Sequence, residues 1–404
     1  MSKVPILISA FACAPGVGSE PYVGWNWAIM LSRTYDVHVI TRGGNRSSIE
    51  NDQLSSGIRF HYCDIPLLPQ VKGTEKWIKL YYVIWQFFAL FLAIKINKKF
   101  GFRIVQQLTY NTIDVPGLMW LLPRTSFVWG PIGGGQVPPS SLRVVFGRPA
   151  WRLQRIRNAQ KSLARFRPII RAASNRAKIV LFANQDTADR LSGIVRKSSV
   201  LLETAIESKY ISPPRSTPNE GNMVWIGRIE HRKALILAID AMRLVRERQR
   251  DLNITLRVIG DGPQLNESIA LVRAYGLSDA VMFLGKIPRI DVLAMVGNAS
   301  ALLFTSVQDT SGNVVLEAMA AGTPVIALRH QGVKEMITIG GGVLIPPTDY
   351  VETVDEIAKA IVRLHSDSVF WNRTSMQARE EVVARHTWEA KYSMVTSIYN
   401  EILN

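Results

Sequence analysis

Short aliphatic and β-branched runs alternate with longer stretches of helical periodicity along almost the whole chain. In the first half, the runs at 5–10, 37–41, 59–62, 104–107, 127–129 and 179–183 read as strands, and 25–33 reads as the first helix after a turn at 15–22. In the second half, strands are expected at 223–226, 255–259, 281–284, 301–304, 325–327 and 343–345. Helices at 234–249, 264–275, 290–297 and 314–321 separate them, and further helices fill the tail. This alternation predicts an α/β chain with parallel sheets. It occurs twice without a fixed-period repeat, which predicts two Rossmann-like, doubly wound domains facing a cleft. The polar, proline-rich stretch 211–221 is the expected linker.

Two apolar segments bear on targeting. Residues 4–12 run into a Pro-Gly turn without a basic region before them, so a buried first strand explains them better than a signal peptide. Residues 80–94 hold Gln86 as their only strongly polar side chain and are followed by Lys95, Lys98 and Lys99. A spanning helix needs ~20 apolar residues. This stretch therefore reads either as a core helix or as a helix dipping into one leaflet.

Composition narrows the picture further. With 404 residues, 47% of them hydrophobic, the chain has ample material for packed cores, and disorder and collagen-like structure are excluded. Cys13 and Cys63 are its two cysteines, so a disulfide framework or a Cys-based zinc site is excluded and a reducing cytoplasm is the expected location. The net charge of +16 is carried entirely by the first half: residues 1–205 hold 27 Lys and Arg against 10 Asp and Glu, whereas residues 206–404 hold 21 against 22. From Arg143 to Lys178 there are 11 basic residues and no acidic one. Such a segment seeks anions: nucleic acid, acidic headgroups or a phosphorylated substrate. Taken with 80–94, it points to peripheral attachment at the anionic inner face of the plasma membrane.

The candidate chemistry lies in the second half. Gly227-Arg228-Ile229-Glu230-His231-Arg232-Lys233 follows a strand and opens a helix, so its cations and the helix N-terminus suit a phosphate. Downstream, a strand ends at Phe304, a polar loop carries Asp309, and a helix starting near Gly312-Asn313 carries Glu317 one turn in. Two carboxylates placed this way suit hydroxyl recognition, because each accepts hydrogen bonds from a diol. Helix capping and a structural ion pair are the bland alternatives for Asp309 and Glu317. No Asp-x-Asp metal loop, zinc-protease helix, nucleophile elbow or Walker loop is present, so no metal and no cofactor are expected. His38, His61, His386 and Trp388 read as packing positions.

These residues resemble a known family. Asp309-x7-Glu317 followed by Ala318-Met319-Ala320-Ala321-Gly322-Thr323-Pro324-Val325 is similar to the Glu-x7-Glu signature of retaining, family 4 (group 1) glycosyltransferases of GT-B fold. Gly227-Arg228 through Lys233-Ala234, Gly260-Asp261-Gly262-Pro263 and Phe283-Leu284-Gly285 stand where that family has its other motifs. Gly16-Val17-Gly18-Ser19-Glu20, Gly24-Trp25-Asn26-Trp27 and Trp129-Gly130-Pro131-Ile132-Gly133-Gly134-Gly135 resemble a bacterial polysaccharide-synthesis branch of it. The resemblance implies an acceptor-binding domain over 1–210, a donor domain over 211–385 and a closing helix, 386–404, packed back on the first. It implies transfer of a sugar from a UDP- or GDP-linked donor to an acceptor hydroxyl with retention, and no nucleic-acid partner is expected. The apolar stretch 80–94 and the basic segment 143–178 make a saccharide carried on a lipid diphosphate the expected acceptor. Arg228, Lys233 and Asp309 would be catalytic. Gly16, Gly18, Gly227, Gly262, Gly285, Ser311, Gly312, Asn313, Val314 and Glu317 would bind the donor. Glu20, Tyr110, Gly133 and Gly134 would line the acceptor side.

Three departures stand out. Asp309 replaces the family's glutamate and has a shorter reach. Ala234 replaces a glycine after Lys233, which bears on loop geometry more than on charge. Gln106-Gln107 stands where the branch often has histidine, and glutamine can only hydrogen-bond. A GT-B epimerase, a phosphorylase and a basic nucleic-acid-binding protein are the competing readings. The first would convert the donor without an acceptor, the second would need a phosphate or pyridoxal site, and the third would need aromatic platforms among the charges.

Overall fold

A computed structural model describes residues 3–66, 75–213 and 221–404. The greater part of the expected linker, residues 214–220, lies outside the described residues. The chain forms two compact units. One comprises the residues up to Gly135, then Ala159–Thr204 and Lys391–Asn404; the other comprises Gln136–Asn158 and Ala205–Ala390.

The first unit holds a seven-stranded sheet. Its strands are β1 (Pro5–Ser9), β2 (Asp36–Thr41), β3 (Arg59–Tyr62), β4 (Ile104–Gln107), β5 (Ser126–Ile132), β6 (Ala177–Phe182) and β7 (Ser198–Val200). They lie in the order β3-β2-β1-β4-β5-β6-β7, every pair parallel. β7 was not expected, because Ser198-Ser199-Val200 has no apolar run and its side chains are at the open edge. β5 continues past Trp129 to Ile132, with a register shift that accommodates Pro131. The core is aromatic: Phe11, Trp85, Phe102, Phe127 and Trp129 are all buried in one cluster. The indole N–H groups keep their partners there, Trp85 Nε1 donating to Cys63 O at 2.7 Å and Trp129 Nε1 to Asn111 Oδ1 at 2.8 Å. Cys13 and Cys63 are free and buried.

The helix Glu75–Phe100 is longer than the apolar stretch 80–94 and includes the three lysines in its last turns. It stops at Gly101, whose φ of +64° is the left-handed conformation that ends helices. Asn97 Oδ1 then accepts from Phe102 N at 2.8 Å.

In the second unit the strands are β8 (Asn222–Ile226), β9 (Thr255–Ile259), β10 (Val281–Gly285), β11 (Ala301–Phe304), β12 (Val325–Leu328) and β13 (Gly342–Ile345). They form a parallel sheet in the order β10-β9-β8-β11-β12-β13. Trp225 and Trp371 anchor its core. Residues 136–158 belong to this unit although residues 159–204, which belong to the first, separate them from the rest of it in the chain. Leu142, Val145 and Phe146 are buried in its core, and His231 Nδ1 lies 3.0 Å from Val145 O.

His38 and His61 do sit in strands, as packing positions should, but as a pair. His38 is fully buried with Nδ1 2.9 Å from His61 Nε2, and Phe100 and Phe102 flank it at 4.3 and 4.8 Å between ring centroids. Burial and then the neighbouring His61 pull its pKa down to about 4. The unfolded chain takes up this proton near pH 6.5 and the folded chain only near 4. The stability it contributes is therefore intact above pH 6.5 and lost as the pH falls towards 4. The loss is on the order of 2–3 kcal/mol. Urea midpoints at pH 7, 5.5 and 4.5 are expected to fall more steeply for the wild type than for His38→Gln; parallel curves would remove the His38 explanation.

Candidate active site

In the second unit, two strand ends bring their loops together. The backbone of Gly227, following β8, donates to Ile259 O, and Ile229 N donates to Asp261 O, each at 3.0 Å. This contact leaves no room for side chains on the facing loop. A β-carbon on Gly260, whose φ is +136°, would stand 1.9 Å from Gly227 O, and one on Gly262 would stand 2.3 Å from Ile229 O. The two glycines let the loops touch and form the wall of a cavity of about 690 Å³. Ile226, Gly227, Arg228, Ile259, Asp261, Pro263, Lys286 and Ile287 complete the lining. Gly285 turns at φ +67° and accepts from Gly260 N at 2.8 Å. A cavity with backbone amides, two cations and an apolar floor suits a nucleotide.

Gly262→Ala is expected to destabilise the protein by about 1–3 kcal/mol, because backbone rather than a flexible side chain must give way. The matched control is Gly297→Ala, where a β-carbon meets nothing within 4 Å. Equal urea midpoints for the two variants would contradict the packing argument.

Beside this cavity, the short turn His231–Lys233 leads into the helix Leu235–Arg248. Ala234 joins them at φ 49° and ψ 46°, so the alanine keeps the left-handed conformation natural to glycine. Lys233 is held on three sides. Its ammonium pairs with Asp309 and lies 5.3 Å from the Phe304 ring centroid, and its carbonyl accepts from Thr305 Oγ1 at 3.0 Å. Thr305 in turn accepts from the buried indole of Trp225 at 3.0 Å. Arg228 is more exposed and stands 3.6 Å from Glu230, which also pairs with Arg232 at 2.6 Å.

The loop after β11 carries Asp309 and runs into the helix Asn313–Ala320. Ser311 and Gly312 precede that helix, Asn313 and Val314 form its first turn, and no side chain caps its N-terminus. Gly312 lies against Phe304, where a β-carbon would come within 2.7 Å of the ring. Glu317 is mostly buried and pairs with Arg289 at 2.8 Å. Burial pushes its pKa up and Arg289 opposes the rise. The structural ion pair is thus real, and it also keeps a carboxylate poised at the helix.

Two residues here were invisible to motif reading. Arg289, at the start of the helix Arg289–Gly297, is Glu317's partner. Gln331 is buried with φ +53°; it accepts from Asp309 N at 2.7 Å and donates to Val137 O at 2.9 Å and Val307 O at 3.2 Å. It therefore ties the Asp309 loop to the segment 136–158. A non-glycine residue in the left-handed region was the signal, and only coordinates reveal it.

The residues expected on the acceptor side lie in the first unit. Glu20 begins the helix Glu20–Ser32 and accepts from Tyr110 N at 3.1 Å; Tyr110 itself has φ +55°. Burial pushes Glu20 up to about 7, with Glu203 adding to the rise and the Tyr110 amide opposing it. Gly16 turns at φ +70° in the exposed loop that also holds Gly18. Gly133 donates to Asn111 O at 3.3 Å and accepts from Ile113 N at 3.0 Å, and Gly134 turns at φ +88° against Thr112. Gln106 and Gln107 are fully buried: Gln106 Nε2 donates to Gly130 O at 2.7 Å and its Oε1 accepts from Tyr399, while Gln107 Nε2 donates to Tyr82 at 3.2 Å. Their role is to join strands and helices. Among the described residues, no group of three or more His, Cys, Asp or Glu side chains is placed to hold a metal.

Two parallel-sheet units with this strand order define the GT-B fold of glycosyltransferases. WaaG, a glycosyltransferase involved in lipopolysaccharide biosynthesis, aligns with a TM-score of 0.60 over 97% of this chain and 99% of its own at 17% identity. HepE of Anabaena, solved with UDP and glucose, aligns with a TM-score of 0.65 over 98% of this chain and 100% of its own at 15% identity. Residues 209–380 match the family of glycosyl transferases group 1, and the chain carries a group 1 glycosyltransferase domain. A glycogen synthase of Mycobacterium tuberculosis is 29% identical over 187 residues, 46% of this chain and 43% of that protein. The chain spans less than half the length of this and other curated relatives it matches.

Proposed function

We propose that the protein transfers a glycosyl group from a nucleoside-diphosphate sugar to an acceptor hydroxyl, with retention of configuration and without a metal. The observation that carries this reading is the Lys233–Asp309 pair beside the glycine-walled cavity, within a group 1 glycosyltransferase domain. In this reading Arg228 and Lys233 face the diphosphate. The bond between the anomeric carbon and the β-phosphate oxygen breaks, the acceptor oxygen bonds on the same face, and the departing phosphate takes the acceptor's proton. Charge grows on the leaving diphosphate, where fixed cations are most effective.

Asp309 then contacts a sugar hydroxyl and Glu317 the ribose, with amides of Ser311–Val314 assisting. The loops holding Gly262 and Gly285 flank the base. Gly16 and Gly18 approach the phosphates or the acceptor, and Glu20, Tyr110, Gly133 and Gly134 line the acceptor side. HepE's complex with UDP and glucose makes UDP the first nucleotide to try, with GDP the second.

The acceptor in this reading is a lipid-diphosphate-linked saccharide in cell-surface polysaccharide synthesis, and the protein works in the cytoplasm against the inner face of the plasma membrane. WaaG's part in lipopolysaccharide biosynthesis supports that class of product. The basic excess of residues 1–205 supports an anionic, membrane-borne acceptor.

A thermal-shift screen of UDP, GDP, ADP and their sugar conjugates tests the donor site. A ligand at ~100 times its Kd adds ~2.7 kcal/mol. One nucleotide family is expected to raise the Tm of the wild type and to lose that effect in Glu317→Ala. If none stabilises the wild type, the donor assignment falls.

A further inference from the structure

The helix Glu75–Phe100 has two apolar faces. Tyr82, Trp85, Ala89 and Ala93 lie on one of them, buried in the core of the first unit. On the opposite side Trp77, Leu80, Val83, Phe87 and Phe91 are between 40% and 69% exposed. Their steps of three and four residues hold them on a single stripe. Lys95 and Lys98 extend that stripe at the same spacing, and Lys99 flanks it; all three are exposed.

By length and hydropathy the segment Trp77–Phe100 is long and apolar enough to cross a bilayer. Its inner face forbids that. Trp85 donates to Cys63 O at 2.7 Å, Gln86 Oε1 accepts from Leu118 N at 3.3 Å, and spanning would strip the core cluster from the sheet. A helix anchored on one side, apolar on the other and ending in ammonium groups is built to lie in the plane between headgroups and acyl chains.

We infer that this face docks on an anionic lipid surface, with Trp77, Leu80, Phe87 and Phe91 entering the acyl boundary and Lys95, Lys98 and Lys99 meeting lipid phosphates. The inference rests on the membrane-borne acceptor proposed above and names the element that reaches it. Charge selects the occupant. A second copy would bring the same lysines and the same basic excess to the contact, whereas anionic lipid complements both.

The test is co-sedimentation of the full chain with vesicles of phosphatidylglycerol and phosphatidylcholine, or of phosphatidylcholine alone, at low and high salt. The wild type is expected to sediment with the anionic vesicles. Phe87→Ser/Phe91→Ser is expected to weaken binding by roughly 30-fold or more at either salt. Lys95→Gln/Lys98→Gln/Lys99→Gln is expected to weaken it by roughly 100-fold at low salt and much less at high salt. Both variants should keep the wild type's nucleotide-induced rise in Tm, which shows that they are folded. Wild type left in the supernatant, or a double-serine variant that binds as the wild type does, overturns the inference. So does a wild-type dimer that becomes monomeric in the double-serine variant without any vesicle binding. If vesicle binding follows the expected pattern and no nucleotide stabilises the protein, the docking face stands and the glycosyl-transfer reading falls.

Discussion

Lys233→Ala is expected to lower glycosyl transfer by roughly 10²–10³-fold in kcat, the cost of removing one fixed charge from a transition state that builds negative charge. The geometry explains why the loss should fall on kcat. Lys233 is held by Asp309, the Phe304 face and the Thr305 hydroxyl before any ligand arrives. In the proposed mechanism its ammonium therefore needs little reorganisation when charge moves onto the leaving diphosphate. Lys233→Arg is expected to recover only part of it, because a longer, planar guanidinium spreads the charge that the compact ammonium concentrates at one point. Arg228 is exposed and paired only at 3.6 Å, so Arg228→Ala should raise KM at least as much as it lowers kcat. Steady-state kinetics with a saturating nucleotide sugar would separate the two. A Lys233→Ala variant that changes KM alone would reassign Lys233 from transition-state stabilisation to simple donor binding.

Asp309→Asn makes the same point from the other side. It removes the ion pair while keeping the side chain's size, so Lys233 is less firmly held and, in the proposed mechanism, a sugar hydroxyl loses its anionic acceptor. Combined with Lys233→Ala, the two losses should be far from additive, as expected for groups in contact.

The second unit's candidate site was largely legible in the sequence because it is built from contiguous segments. A strand end, a basic loop and a helix start lie within Gly227–Lys233, and the same grammar recurs around Asp309 and Glu317. The strands showed themselves wherever buried residues formed an unbroken apolar run, as in β11 and β12. Ser198–Val200 did not, because an edge strand needs only its backbone. Ala234 also became intelligible only in coordinates, where it retains the left-handed turn.

What the sequence hid are long-range partnerships. The segment 136–158 reads as part of the first half by position and charge. It is held in the second unit by a few scattered bonds, Gln308 Nε2 to Gln136 O and Gln331 Nε2 to Val137 O, each at 2.9 Å, and by the burial of Leu142, Val145 and Phe146. Glutamines of this kind carry no pattern. The Arg289–Glu317 pair spans 28 residues and was equally silent. Burial of an individual charge is another such property, and Lys391 shows its largest consequence.

Lys391 is 3% exposed, its ammonium donating to Leu202 O and lying 6.0 Å from the Trp27 ring centroid. Burial pulls its pKa from the usual 10.5 down to about 7, and the Glu203 carboxylate only partly offsets this. Between those two values the unfolded chain holds the proton and the folded chain does not, so stability rises with pH across the interval. The contribution is complete above 10.5 and lost as the pH falls to 7. Glu20, pushed up to about 7, acts in the opposite sense below neutrality: its contribution is present at acid pH and lost as the pH rises through 7. Together these two groups place a local minimum of stability near pH 7, in the first unit. Lys391→Met keeps the apolar stem and removes the titration. The gain in unfolding free energy from pH 7 to 8.5 is expected to be larger in the wild type than in the variant by about 2 kcal/mol. Denaturant titrations at those two pH values measure it, and equal slopes in the two proteins would show that Lys391 keeps its proton in the folded state.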